Sequence, residues 1–190
     1  MVRPLSGGHL PLKQETMSNT LDTFEYRNED DKAYGLAGMV ISAGSLDALE
    51  LVHSVSLDAD GPMVRFSEAY HHLLSPSLSP KGVWEQLRRN LYITAAMAVG
   101  NLMSRSVVRD GAEVPVRLLG DLHKAMADEA RDALSLDDDE TDTLFDHLLR
   151  HNMQIFHNPR VQPKVHALTR RLALLRSLSQ GDLLFELEHL

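Results

Sequence analysis

Apolar positions recur at three- and four-residue intervals along most of the chain, the spacing that places side chains on one face of an α-helix. Ala33, Leu36, Ala37, Val40 and Ile41 follow this pattern, with Asp30 and Asp31 as first-turn acids and Gly44 as a terminator. Ser45 is then placed to cap a second helix carrying Leu46, Leu49, Val52 and Val55. The stretch Leu51 to Leu57 also alternates, as a strand would, but no partner strand is evident and helix is preferred. Asp58 to Pro62 reads as a turn, after which Met63, Phe66, Tyr70, Leu73 and Leu74 predict a third helix.

Ser79 followed by Pro80 is an N-cap and first-turn pair, and it opens the longest predicted helix, running to about Val108. Trp84, Leu87, Leu91, Ala95, Ala98 and Leu102 form its stripe, and the small residues from Ala95 to Gly100 mark it as the buried centre of a bundle. Pro115 begins a fifth helix with Leu118, Leu119, Leu122, Met126, Ala130 and Ala133 inward. The acids Asp137 to Glu140 suit the positive end of a sixth, which ends at His157-Asn158-Pro159. Pro163 opens a helix with Val165, Leu168, Leu172 and Leu175 in register and Gly181 closing it; Leu183 to Leu190 is apolar enough to pack as a short last helix. The expected fold is all-α, a single-domain bundle of about six or seven helices around a long central one, spanning 21–190. Residues 1–20 lack any period and read as a disordered or non-native extension.

Composition narrows the function classes. Of 190 residues, 19 are Lys or Arg and 27 are Asp or Glu, a net charge of −8 that works against general binding to phosphates or anionic membranes. The apolar run from Tyr92 to Val99 falls short of the roughly 20 residues of a bilayer span. There is no cysteine, which removes disulfides and thiolate chemistry and agrees with a cytoplasmic setting. Ten histidines make the net charge change sign on full protonation, so solubility is expected to be poorest on the acid side of neutrality.

Two constellations offer metal-ligand chemistry. Glu68 with His71 and Glu186 with His189 are Glu-x-x-His units, whose two side chains share a helix face; pairs of such units, completed by further glutamates, build di-metal centres in four-helix bundles. Glu50, Glu85, Glu113 or Glu129 would have to complete the set. His147 and His151, four apart, could hold a divalent metal with Asp142 or Asp146 nearby. Against this, Leu144, Leu148 and Ile155 share the stripe of His151, which places its ring at the core edge with one nitrogen hydrogen-bonded, and His147 nearer solvent. A calcium loop at Asp58-Ala59-Asp60-Gly61 misses its register, because with Asp58 first Glu68 falls eleventh and not twelfth.

Arginines gather at Arg88, Arg89, Arg105 and Arg109 and again at Arg170, Arg171 and Arg176, but aromatic residues are 5% of the chain and do not interleave with them. Solvated helix faces paired with neighbouring acids are therefore expected over a nucleic-acid surface. No nucleophile elbow, phosphate-binding loop or dinucleotide fingerprint occurs. The sequence favours a non-enzymatic interaction or scaffolding protein that pairs with itself as a homodimer or with another protein and needs no cofactor. The alternatives are a metal-dependent helical-bundle enzyme and a small regulator with a local arginine face for nucleic acid.

Overall fold

The computed structural model describes residues 24–71 and 79–187. The expected disorder of residues 1–20 lies outside that range. Seven helices are present among the described residues: α1 (Glu29–Gly44), a four-residue α2 (Glu68–His71), α3 (Pro80–Met103), α4 (Val116–Leu134), α5 (Asp138–Phe156), α6 (Gln162–Leu175) and α7 (Gln180–Leu187). A small antiparallel sheet accompanies them, with β1 (Val52–Ser56) between β2 (Val64–Phe66) and β3 (Ser177–Ser179). The architecture is thus the helical bundle expected, with a three-stranded addition.

Helix α3 is the central post. Ser79 caps it by accepting from the Gly82 amide, Pro80 occupies its first turn, and every residue from Ile93 to Met103 is buried. It continues into a π-helical segment, Ser104–Arg109. By length and composition Pro80–Arg109 could cross a membrane, yet 83% of its apolar window is buried against the rest of the fold. Helix α1 crosses it at a seam of small residues. A Cβ added at Gly38 would collide with the Gly100 carbonyl oxygen and lie 2.5 Å from Ser104 Cβ, so the two backbones approach as closely as they do only because both positions are glycine. Beside the seam, Ser42 Oγ donates to Asn152 Oδ1 at 2.6 Å and ties α1 to α5 inside the core.

Helix α5 starts with a reciprocal cap: Asp137 accepts from the Glu140 amide while Glu140 accepts from the Asp137 amide. Helices α4 and α5 bury Leu122, Met126, Phe145, Leu148 and Phe156 against the centre.

Three expectations need correction. Val52 to Ser56 is a strand, not helix, because β3 pairs with it in the register Val55 to Leu178, a partner far along the chain. Val64 to Phe66 form its hairpin mate β2, leaving only the four residues of α2 as helix in that stretch up to His71; Leu73 and Leu74 lie outside the described residues. Gly181 does not close α6; Arg176 does so in the left-handed region at φ 65°, and Gly181 lies within α7. Trp84 also departs from the inward stripe, being 41% exposed with the Arg88 guanidinium 5.3 Å above its ring.

Candidate functional site

The densest polar cluster centres on Asp31, which has no exposed surface. Its position in the first turn of α1 is set by Asn28, whose Oδ1 accepts from the Asp31 amide. Arg105, on the π-helical segment, donates Nε to one carboxylate oxygen at 3.0 Å and Nη2 to the other at 2.7 Å. Arg27 and Arg109 add contacts at 3.0 and 3.1 Å. Burial opposes ionisation of Asp31, but hydrogen bonds from Arg105 and Arg27 outweigh it and hold the carboxyl well below the usual carboxylate range.

The surroundings use the remaining donors. Arg105 Nη2 donates to the Glu25 carbonyl, its guanidinium lies 4.8 Å from the Tyr26 ring centre, and Asn101 donates to the Tyr26 hydroxyl at 2.9 Å. Arg109 pairs with Asp30, and Arg27 with Asp110. Three arginines therefore meet three aspartates, and the cluster is neutral within itself. Its chemistry is that of a clamp, pinning residues 25–28 across the π-helical turn. The sequence had placed Arg105 on a solvated face; it is buried, and its acid is not a helical neighbour but Asp31 on another helix.

The metal-ligand candidates are scattered. Glu68 and His71 are exposed on α2, opposite the buried Tyr70. Glu186 accepts from Arg171 Nη1 at 2.6 Å, and His189 lies outside the described residues. His147 is exposed with its ring 6.1 Å from that of Tyr92, while His151 is half-buried with Nε2 3.0 Å from Ser45 Oγ. No group of three or more His, Asp or Glu side chains is arranged to hold a metal among the described residues. Asp58 is engaged by Arg176, which also grips Glu29.

The Ser45 and His151 pair invites comparison with an activated nucleophile. Its proton arrangement is the reverse of one. Ser45 Oγ has a single hydrogen and donates it to the Ser42 carbonyl at 2.7 Å, which can only accept, so His151 Nε2 must be the donor toward the serine. Desolvation, followed by the charge of His147, pushes the His151 pKa down and keeps the ring neutral. The pair locks the end of α1 to α5.

Several large apolar side chains are also exposed. Leu174 is 79% and Phe185 71% exposed, and Leu175 and Leu184 are about half exposed. These four sit on α6 and α7, which Arg171 joins through Glu186 and Asp182. Val116, 85% exposed, opens α4 elsewhere on the molecule. Leu175, expected in the inward stripe, is half exposed, and the apolar tail forms the expected short helix with Leu183 and Leu187 buried. The overlooked signal was adjacency: Leu174-Leu175 and Leu183-Leu184-Phe185 cannot all face one side of a helix, so burying Leu172, Leu183 and Leu187 turns the others outward.

The basic clusters offer little unengaged charge. Besides Arg105 and Arg109, Arg89 lies 3.5 Å from Glu50, Arg171 pairs with Glu186, Arg176 with Glu29 and Asp58, and Arg88 covers Trp84. No family model and no curated protein matches the chain.

Proposed function

We propose that this chain is a non-enzymatic interaction protein of the cytoplasm, a helical module that binds protein through apolar side chains held on a rigid bundle. The observation that carries the reading is the exposure of Leu174 and Phe185, large apolar groups kept in water on helices whose other faces are well packed. Such side chains are the usual anchors of a protein interface. The polar clusters support the same reading, because Asp31 with its arginines, and Ser45 with His151, are engaged with one another.

The test is a photo-reactive residue placed at position 185 in living cells, with position 139 on exposed polar surface as the control. Discrete adducts at 185 and none at 139 are expected; equal labelling at both positions overturns the reading. The metal-enzyme alternative is decided by elemental analysis of protein purified without a metal column. Near-stoichiometric metal that disappears in His147→Ala or Glu68→Ala would replace the interaction reading with the enzymatic one.

A further inference from the structure

We infer that the α6–α7 face binds a second copy of this chain, forming a two-fold homodimer. The inference rests on the interaction reading above and names its partner. Four side chains define the face: Leu174 and Leu175 on the last turn of α6, and Leu184 and Phe185 on α7. Together they leave on the order of 500 Å² of apolar surface in water, at the upper end of the largest patch an ordinary monomer shows. A standard interface takes about 800 Å² from each partner, of which the centre is apolar and the rim polar. The face thus supplies the apolar centre of one dimer interface, and its flanks supply the rim.

Charge selects the partner. A chain of net charge −8 repels its own copies over most of its surface. Around this face the acids are partly offset: Arg171 balances one charge of the pair Glu186 and Asp182, and Arg176 one charge of the pair Glu29 and Asp58. Arg170, exposed on the same helix, adds a positive charge to the rim. With it, three arginines offset three of the four acids, so the face holds a small part of the chain's net charge of −8 and repels a second copy least. Exposed Ala173 and Gly181 beside the anchors carry no bulky side chain to hold a copy away.

A two-fold contact is isologous, so each substitution acts on both halves of the interface. The test is sedimentation and light scattering of the full chain from about 1 to 200 µM, a range that covers a weak dimer. Wild-type mass is expected to double across it, while Phe185→Glu and Leu174→Glu, at exposed positions where folding is checked by circular dichroism, raise the dissociation midpoint about tenfold or more. Val116→Glu, on α4, is expected to dimerise as wild type does. A monomer throughout, a dimer insensitive to both substitutions, or one equally lost in Val116→Glu overturns the inference. Photo-crosslinking of the purified chain from position 185 is expected to join two copies; adducts only within one copy, to residues 1–23, also overturn it. A monomeric wild type that still gives discrete cellular adducts at 185 removes the second copy as partner and leaves the interaction reading standing; a monomer without adducts removes both.

Discussion

Arg105 holds both oxygens of Asp31 across 74 positions of sequence, in a pair that is wholly buried on the aspartate side. A forked guanidinium on a carboxylate is the strongest geometry available to such a pair, yet removing both charges from water costs several kcal/mol per ion. The pair therefore specifies which end of α1 meets the π-helical turn more than it adds net stability.

That balance predicts an asymmetry. Arg105→Met should lower unfolding free energy by about 3–5 kcal/mol, because it strips a buried carboxylate of its main partner. Asp31→Asn should cost less, since the Asn28 cap on its backbone and one oxygen facing the arginines remain, and Arg105 keeps the Glu25 carbonyl and Asn101 as acceptors; the double variant should be less damaged than the two losses added together. Urea unfolding of the three variants checks this; strict additivity would show that the two residues act independently.

The same carboxylate sets an acid limit. Its folded pKa lies below its unfolded value near 3.9, so its contribution is fully present above that value and is lost as pH falls through the folded one. Unfolding midpoints measured between pH 5 and 2 should fall steeply below about pH 4, and less steeply in Asp31→Asn.

His151 acts at milder acidity. Burial depresses its folded pKa below the unfolded value of about 6.5, so neutral His151 stabilises the fold above that pH and the contribution is lost as pH drops through the folded value. Stability should therefore decline from about pH 6.5 downward, and His151→Gln should flatten this part of the profile. An unchanged slope in the variant would assign the decline to other histidines.

The glycine seam gives a paired prediction. A methyl group at Gly100 meets Ser42 and the Gly38 carbonyl oxygen, which is backbone and cannot swing away, so Gly100→Ala should cost at least about 2 kcal/mol. Gly120, within α4 and with nothing near its added Cβ, should accept alanine with a gain of about 0.5–1 kcal/mol. Thermal unfolding of both variants reads the contrast directly.

Arg176 combines a left-handed backbone with a double ion pair. Arg176→Ala loses the ion pairs and retains the strain, whereas Arg176→Gly loses the ion pairs and relieves it. The glycine variant should be more stable than the alanine one by about 1 kcal/mol in urea unfolding.

These residues also show how far the sequence could be read. Ser79-Pro80 and the acids at 137–140 announce α3 and α5 because a helix start is a local event, decided by side chains within four positions of the backbone groups they cap. His151 was placed at the core edge for the same reason, through the helical period of its neighbours. Strand β1 was legible only as the alternation from Leu51 to Leu57, because its partner at Ser177 to Ser179 lies far along the chain and three-residue β2 carries too short a pattern to announce itself. Asp31 looked like an ordinary first-turn acid and Arg105 like one of a surface cluster; only the crossing of α1 over α3 makes them one object. Leu174 lies off the stripe of Val165, Leu168 and Leu172 and is exposed as that period implies, whereas the exposure of Leu175 and Phe185 depends on which neighbours α6 and α7 meet.

The placement of β3 has a bearing on how the chain is made. During translation β1 and β2 emerge as a two-stranded hairpin, too small to persist in water, and one side of β1 stays an open edge until the ribosome has added residues 177–179. Asp31 likewise waits for Arg105 with its charge still in solvent. Both contacts join segments far apart in sequence, so neither can form before the intervening chain has been made.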